Sequence, residues 1–575
     1  MRDVLEDLGR KVLKIKPWVV FRPLQFKRKL GLLVKNLNDN SHYELKGRAA
    51  YLWLLIDGSR TVDEIILSCR KTEKVKDPKF TSLSRKFLKD ILDASLVFEN
   101  SSFKRDERAE DMKEFFRHIR SGPSEKSSLV RKKRLRSEVG DKAAILAVRK
   151  RFSKLLQGKI KLQIKRTTAP FSGAKVHVFE AELKILDQVK MNIQGLGASL
   201  TLESAAIGAI GEAVERASIE NIEPMINIRK KSYDELTKSG QRALDPESYR
   251  FYDGKQEPLL NGEIINLSRE SKADWGVFED SDPENGKILV PIWGEGSENT
   301  LFPQLLTWTS SGCAAHTDQN LAKLSGALEL IERDNVLFYW RTKNTPQQID
   351  HSTLPEHLRK LLASLNGLEK RIKLFYLKSE LAPVTVQAVL LGKPSVKEPY
   401  FLDTAATRFN PADSVEKAIV ELLYVLHGYR PENKNYYGKD FDNSIWDFDD
   451  RISFYGEKSR PGAYEFLFPS SVPPISFSDI SSADKGNPEK NLKFLNDEFK
   501  RNDLRLFYKN VTLKALDKSG FFVYRAFSPD LIPVDPIHRY RALGHERYQK
   551  LSKLLNLKNK PSTIEELNKW PNPIC

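Results

Sequence analysis

A five-residue pattern, Glu-x-x-Glu-Arg, occurs twice in this sequence and constrains its fold more than any other feature. The two copies lie at Glu212–Arg216 and Glu329–Arg333. Each copy stands among small and apolar residues with helical spacing, at 208–211 and 326–328, which is typical of closely packed helices. A spacing of three residues places both carboxylates of a copy on the same helix face. The sequence therefore predicts two packed acidic helices.

We predict three acidic helices in all. The first spans about 202–221, and the second begins with a cap at Thr317 or Asp318. The third opens with Asp413 and Glu416 in capping-box spacing. This third helix also carries three ionisable residues, Lys417, Glu421 and His427. The three helices together carry acidic residues that a fold could bring to one place, among them Glu212, Glu215, Glu329, Glu332 and Glu421.

Grouped carboxylates in a packed region need compensating cations. Mg²⁺ suits them, because this hard ion binds carboxylate oxygens and completes its octahedron with phosphate oxygens and water. A phosphate-binding glycine loop is not the source of such a site here, since Gly195–Gly197 has no following Lys. The alternative is a pair of solvated helix faces with local ion pairs. The two packed copies favour a site for a nucleoside triphosphate with Mg²⁺.

Composition excludes several classes of protein. The longest apolar runs, such as 51–56, are far shorter than the roughly 18 residues of a membrane span. Cys69, Cys313 and Cys575 are too few and too scattered for a disulfide framework or a zinc site. The first residues are acidic where a secretory signal would be basic. We therefore expect a cytoplasmic protein with no membrane partner, and the net charge of +17 favours an anionic one.

A basic stretch, Arg131–Arg134, marks the best domain boundary in the 575 residues. No aromatic residues interleave with its cations, so we interpret it as a linker and do not expect a nucleic-acid partner. We divide the chain into an N-terminal module at 1–110, a linker at 111–142 and a domain at 143–575. The last mixes helical and strand periods throughout, which predicts one large α/β (α+β) domain.

The N-terminal module has the pattern of a small winged helix-turn-helix unit. It combines an amphipathic helix at Ala49–Ile56, a second helix capped by Thr61 and Glu64, and a closing strand at Leu96–Phe98. The run Gly47–Ile66 resembles the PqqD-like recognition element of ribosomal-peptide maturation enzymes. That resemblance implies that the leader of a precursor peptide binds as an added strand. A winged-helix DNA binder has a similar pattern and stays an alternative.

The large domain resembles the YcaO family. The resemblance rests on five motifs in the family's order, Gly195–Ser199, Gly211–Ser218, Ser311–Ala315, Leu328–Asp334 and Glu416–Leu423, and on Pro571–Pro573, which resembles the family's proline-rich tail. Within the family, the stretch Phe448–Tyr455 looks most like the branch that makes azoline rings in peptides. The resemblance thus implies an ATP- and Mg²⁺-dependent cyclodehydratase.

The implied reaction activates a peptide amide. A Cys, Ser or Thr side chain adds to the preceding carbonyl, the oxyanion takes the γ-phosphoryl group of ATP, and phosphate leaves as the ring closes. Catalysis is then positioning and electrostatic stabilisation. By the family motifs, Mg²⁺ would be held by Glu212, Glu215, Glu329, Glu332 and Glu421. The nucleotide would be bound by Gly208, Arg216, Ser311, Gly312, Arg333 and Lys417. Catalytic roles would fall to the tail residues Pro571 and Pro573 and to the terminal carboxylate of Cys575.

Some positions depart from the family pattern. Gly208 stands where Ser is usual, Ser311 where Asn is common, and Tyr424 where a Gln is usual. Lys417 replaces an Arg and keeps the charge but not the planar fork. The tail ends at Cys575, short of the last proline of the family's ending. All five glutamates are kept, so we expect ATP binding to be retained, while the departures bear on turnover.

The resemblance also defines the partners. The substrate would be a ribosomal precursor peptide, and a flavin-dependent dehydrogenase would oxidise azolines to azoles. A homodimer is compatible with the sequence. Two alternative functions stay open, namely thioamide or amidine formation on the same activated amide, and a non-catalytic scaffold that binds a peptide or DNA.

Overall fold

The computed structural model describes residues 13–15, 19–26, 29–36, 42–46, 49, 52–53, 56, 61–72, 80–93, 97–99, 160–167, 176–185, 192–219, 226–256, 260, 266–294, 310–365, 367–392, 398–429, 445, 448–457, 459–469, 471–516, 520–535 and 537–574. The chain divides into two compact units, 1–136 and 137–575. Across these described ranges, no helix combines the length and the apolar character needed to cross a membrane.

The first unit contains β1 (Leu13–Ile15), β2 (Val19–Phe26), β3 (Lys29–Asn36), β4 (His42–Lys46), α1 (Val62–Thr72), α2 (Phe80–Asp93) and β5 (Val97–Glu99). Strands β2, β3 and β4 form an antiparallel sheet in that order, and β1 pairs antiparallel with β5. The sheet provides two edges, at β2 and β4.

Several local predictions for this unit are confirmed. Thr61 and Glu64 form the predicted capping box, since the Glu64 backbone N–H donates to Thr61 Oγ1 at 3.3 Å and the Thr61 N–H donates to Glu64 Oε2 at 2.9 Å. Cys69 is buried in the core. The assignment as a peptide-recognition module stays a prediction, and the linker at 111–142 lies outside the described residues.

The second unit begins with β6 (Ile160–Thr167), β7 (His177–Ile185), β8 (Asn192–Ser199), α3 (Leu202–Ile219), β9 (Ile228–Lys231), α4 (Tyr233–Lys238), β10 (Ala273–Asp280), β11 (Lys287–Gly294), β12 (Cys313–His316) and α5 (Gln319–Thr342). It continues with β13 (Gln347–Gln348), α6 (Glu356–Ala363), β14 (Ile372–Leu377), β15 (Val384–Leu391), β16 (Phe401–Arg408), α7 (Pro411–Gly428), α8 (Phe448–Glu457), α9 (Pro461–Tyr464), α10 (Pro488–Arg501), β17 (Phe507–Asn510), β18 (Phe522–Phe527) and α11 (Arg547–Leu554).

These strands form three antiparallel sheets. The orders are β6-β7-β8, then β11-β10-β17-β18-β12 with β9 beside β10, and β13-β14-β15-β16. Helix α3 packs on β8 and β12, while α5 packs on β12 and β18 and also on β15 and β16. Helix α7 covers the other face of β15 and β16. This arrangement confirms the predicted mixed α/β (α+β) class and brings the three acidic helices together around α5.

Burial on both faces explains the composition of β15 and β16. One face, with Val386 and Ala406, packs against α7. The other face, with Val389 and Phe401, packs against the middle of α5. Apolar side chains on both sides of a strand leave water no access. Polar residues within these strands therefore need partners inside the protein.

Two glycines of β8 allow α3 to lie directly on the strand. A Cβ atom on Gly195 would stand 2.2 Å from the Ala213 nitrogen, and one on Gly197 would stand 2.1 Å from the Ala205 oxygen. No side chain fits at either distance. The motif Gly195–Ser199 is thus part of a strand, where its glycines fix the distance between α3 and β8.

The helix starts were predicted with mixed success. Asp318 caps α5, as predicted, and accepts the Leu321 backbone N–H at 3.0 Å. The capping box predicted for α7 at Asp413 and Glu416 is wrong. Helix α7 begins at Pro411, and the Asn410 side chain accepts the Ala412 N–H at 3.0 Å. Proline suits the first helical position because its missing N–H would have no helical partner there.

Candidate functional site

The first Glu-x-x-Glu-Arg copy lies on α3, above β8. Glu212 Oε2 accepts the backbone N–H of Leu196 at 2.6 Å, and Arg216 Nη2 lies 2.5 Å from Glu212 Oε1. Arg216 also donates to the Gln194 carbonyl at 3.1 Å. The carboxylate of Glu212 is therefore fixed between the strand and a guanidinium group.

The second copy lies on α5, between two sheets. Glu332 is buried, and its Oε2 accepts the backbone N–H of Thr407 on β16 at 3.1 Å. Glu329 accepts a hydrogen bond from the Gly312 backbone. Arg333 Nε lies 3.7 Å from Glu329 Oε1 and 4.0 Å from Glu332 Oε1. One guanidinium thus serves both carboxylates of this copy.

Helix α7 adds a fifth acid and a cation to the same electrostatic field. Lys417 forms an ion pair with Glu421 one helical turn away. The charge of Glu421 raises the pKa values of Glu212, Glu329 and Glu332, and the charge of Lys417 lowers all three. The structure therefore brings α7 close enough to both Glu-x-x-Glu-Arg copies for their charges to interact.

The pKa values of Glu212, Glu215, Glu329 and Glu332 are raised. Removal from water is the largest cause in each case, and it raises the pKa of Glu332 to about 7. Glu215 has a pKa well above its usual range, because burial is reinforced by the charges of Glu329 and Glu212. Acids that resist ionisation together are stabilised in the charged form by an added cation. The oxygen donors are those that Mg²⁺ prefers, so these residues fit this ion.

The carboxylates are paired with cations of their own helices. Among the residues that the structure describes, no three or more His, Cys, Asp or Glu side chains already lie close enough to hold one metal ion. Arg216, Arg333 and Lys417 pair with the acids instead. A metal ion that binds these acids would therefore replace some of these ion pairs.

Gly208, Ser311 and Gly312, which were predicted to contact the nucleotide, differ in how closely they are packed. Gly312 has φ +80°, and a Cβ there would stand 2.6 Å from the Ala526 oxygen, so the turn before β12 requires glycine. Gly326 of α5 packs on the Gly312 carbonyl. Ser311 is half-buried beside this turn. A Cβ on Gly208 would have an ordinary contact of 3.6 Å with Gly197, so the backbone leaves room there for a small side chain.

The predicted tail residues lie in a buried segment. Pro571 and Pro573 are both buried, and the Pro571 carbonyl accepts the Tyr455 hydroxyl at 2.6 Å. The segment reaches α5 at Arg341, nine residues after Glu332, where Arg341 donates to the Trp570 carbonyl at 2.8 Å. Cys575 lies outside the described residues. The catalytic role of this segment stays a prediction.

The sequence analysis did not identify a row of buried polar residues on β15 and β16, on the sheet face that packs against α5. Asp403 Oδ2 accepts from the Gln387 amide at 2.7 Å, and the hydroxyls of Thr385 and Thr407 lie 2.8 Å apart. Burial raises the pKa of Asp403 to about 7, although Arg333 and Arg451 lower it. The available signal was a set of polar residues inside two otherwise apolar strands. These groups order β16 at the point where it binds Glu332.

Several solved structures are similar to this chain. A heterocyclase in complex with substrate and cofactor matches with a TM-score of 0.56 and 16% identity. The match covers 75% of this chain, and this chain spans only 57% of the length of that heterocyclase. YcaO from Methanopyrus kandleri bound with AMPPCP and Mg²⁺ matches with a TM-score of 0.47 and 18% identity, covering 68% of this chain and 91% of that one. The heterocyclase TruD matches with a TM-score of 0.48 and 11% identity, covering 98% and 99%.

Comparison with curated protein sequences gives no match. The family model described as YcaO cyclodehydratase, ATP- and Mg²⁺-binding, matches residues 196–532, which is more than half of the chain. The match includes all three acidic helices and β8 from its fifth residue onward. ATP and Mg²⁺ are thus the cofactors of the matched domain. The chain belongs to the YcaO family of ATP- and Mg²⁺-binding cyclodehydratases.

Proposed function

We propose that this chain uses ATP to convert Cys, Ser or Thr residues of a ribosomally made precursor peptide into azolines. The observation that carries the proposal is the placement of the five glutamates. Two come from α3, two from α5 and one from α7, and they interact electrostatically within the matched family domain. Such a group of acids suits a magnesium nucleotide better than it suits a solvated surface.

The proposed ligands of Mg²⁺ are Glu212, Glu215, Glu329, Glu332 and Glu421. Arg216, Arg333 and Lys417 already pair with these acids and would neutralise phosphate oxygens, together with contacts from Gly208, Ser311 and Gly312. When bound, Mg²⁺ and ATP supply a phosphoryl group that makes the amide oxygen of the substrate a leaving group. The chain itself orients the reactants and neutralises charge, as is usual in phosphoryl transfer.

The proposed reaction removes one water for each ring. The sulfur or oxygen of the substrate side chain forms a bond to the preceding carbonyl carbon, and the carbonyl oxygen leaves within inorganic phosphate. The side chain and the amide nitrogen each lose a proton, and the ring keeps a C=N bond. No nucleophile of the enzyme is needed. The tail residues Pro571, Pro573 and Cys575 are proposed to lie near the reacting peptide.

We propose that residues 1–110 bind the leader of the precursor, with 111–142 as a linker to the catalytic domain at 143–575. The antiparallel sheet β2-β3-β4 supports this proposal. An extended peptide can add to a sheet edge by backbone hydrogen bonds, as in other modes of β-strand addition. DNA binding by the same unit is the competing outcome of a binding test.

Mass spectrometry of a precursor peptide tests the proposal. The probe is a peptide encoded beside the gene, with a leader and a core rich in Cys, Ser or Thr, incubated with the full chain, ATP and Mg²⁺. We expect the loss of one water per ring, dependent on ATP. Exchange of an oxygen for a sulfur would instead indicate thioamide formation. An unchanged mass with every such peptide would contradict the proposal.

A further inference from the structure

A buried cluster of charges lies between α5, α8 and the 570–574 segment. Arg341 Nη2 lies 3.3 Å from Asp535 Oδ2, and Arg451 Nη2 lies 3.2 Å from the same oxygen. All three side chains are almost completely buried. A buried carboxylate between two guanidinium groups ties α5 to α8, because loss of Asp535 would leave two buried cations without this carboxylate.

Asn572 lies within this cluster. Its Oδ1 accepts from Arg451 Nη1 at 2.7 Å, and its Nδ2 lies 3.0 Å from each carboxylate oxygen of Asp535. The residue is 0% exposed. An asparagine amide both donates and accepts, so one side chain joins the cation and the anion of the cluster.

The residues next to Asn572 explain why a side chain, and not the backbone, donates hydrogen bonds to the charged cluster. Pro571 lacks a backbone N–H, as does Pro573, so the backbone around Asn572 offers few donors. The carbonyl groups are held instead, that of Trp570 by Arg341 and Trp340 and that of Pro571 by Tyr455. The Asn572 side chain is therefore a polar anchor of the 570–574 segment, beside the hydrogen bonds that hold the Trp570 and Pro571 carbonyls.

The same cluster adjoins the acidic site. Arg341 belongs to α5, the helix that carries Glu329 and Glu332. Asp403 interacts electrostatically with both Arg451 of the cluster and Arg333 of the acidic site. Asp403 therefore feels the charge of both the cluster and the arginine that pairs with Glu329 and Glu332.

We infer that Asn572 is a positioning residue for ring formation: through Arg451 and Asp535 it fixes the 570–574 segment to the helix of the nucleotide site. The inference rests on the proposed function. The hydrogen bonds of the Asn572 side chain go to Arg451 and Asp535 and not to the five glutamates, so we expect its loss to affect ring formation more than ATP affinity. Without the anchor, the segment moves and the peptide-modifying step slows.

The test compares Asn572→Ala with a matched control. Asn344 is also buried, at 2% exposed, and exchanges hydrogen bonds with Asn559 at 2.9 Å just beyond the end of α5. We expect Asn572→Ala to slow ring formation about tenfold or more, as loss of hydrogen bonds to charged groups allows. ATP affinity should change less than about twofold. Asn344→Ala should lower stability without slowing the ring-forming step.

Hydrogen–deuterium exchange gives a readout that needs neither ATP nor peptide. Exchange in peptides that cover 568–574 should rise in Asn572→Ala and stay at the wild-type level in Asn344→Ala. The double variant Asn572→Asp/Asp535→Asn exchanges the amide and the carboxylate at constant charge. Compared with Asn572→Ala, it should therefore recover much of the rate of ring formation and much of the protection of 568–574 from exchange.

Two results would overturn the inference. One is unchanged exchange in Asn572→Ala, and the other is slowing no greater than in Asn344→Ala. If the wild-type chain forms no rings, the proposed function fails, and the exchange experiment alone decides whether Asn572 anchors the segment.

Discussion

Glu329 is placed where its charge acts on acids of both Glu-x-x-Glu-Arg copies. It accepts a hydrogen bond from Gly312, pairs with Arg333, and raises the pKa values of Glu215 and Glu332. Its carboxylate therefore interacts with acids on two helices. A neutral amide of the same size removes the charge and keeps the shape.

We predict that Glu329→Gln lowers ATP hydrolysis at least about a hundredfold, as expected when an electrostatic contact to a transferring group is lost. Leader affinity should be unchanged, because the leader is proposed to bind residues 1–110. The measurements are phosphate release and binding of a labelled leader peptide. Glu356→Gln is the control, since Glu356 is exposed and pairs with Lys360 one turn away. If Glu329→Gln hydrolyses ATP at the wild-type rate, the acids do not bind the magnesium nucleotide and have only a structural role.

At the scale of single residues, the sequence revealed the acidic residues themselves but not the residues that hydrogen-bond to them. Glu212 and Glu329 were identifiable because the spacing of charged residues within apolar helices is visible in one segment. The support of Glu332 by Thr407, and the pair of Gln387 and Asp403, join strands and helices far apart in sequence. Such contacts depend on which sheet face a helix covers, which a local pattern does not contain.

Among the elements, the contact between α3 and β8 does most to fix the first pair of acids. Gly195 and Gly197 let the helix backbone touch the strand, and the strand in turn binds Glu212 through Leu196. Helix position and carboxylate position are therefore set by the same strand.

We predict that Gly197→Ala destabilises the chain by about 1–3 kcal/mol or more, because its Cβ would clash with the Ala205 backbone. Gly208→Ala is the matched control on the facing helix. Its Cβ would make only an ordinary contact, and alanine favours the helix by about 0.5–1 kcal/mol. Urea denaturation measures both. Equal stability of the two variants would contradict the proposed role of close packing.

The start of a helix was predictable where the sequence offers a clear capping residue next to the first helical turn. Asp318 and the pair of Thr61 and Glu64 were found in this way. The start of α7 was missed because Asp413 and Glu416 have capping-box spacing, while the actual cap combines Asn410 with Pro411. The paired sheets were not predictable, since strand order depends on long-range contacts.

At the scale of the whole molecule, the chain consists of two units with separate proposed tasks. The acidic site is formed entirely by residues of the second unit, from Gln194 to Glu421. The proposed leader-binding sheet is formed entirely by residues of the first. Division of labour between two compact units makes the tasks separable by deletion.

We predict that deletion of residues 1–110 abolishes leader binding and most processing of the precursor, while ATP affinity stays within about twofold of the full chain. Anisotropy of a labelled leader and binding of an ATP analogue measure the two properties, and the full-length chain is the control. If the truncated chain processes the precursor as fast as the full chain, the first unit is not the recognition element.

The central claim is that the amide oxygen of the substrate leaves as phosphate at the acidic site. Mass spectrometry tests it most directly on a precursor whose core amide oxygens carry oxygen-18, incubated with the full chain, ATP and Mg²⁺. We predict that each ring formed removes one labelled oxygen from the peptide, that this oxygen is recovered in inorganic phosphate, and that Glu329→Gln releases it at least about a hundredfold more slowly. Recovery of the label in water, or rings formed without ATP, would contradict it.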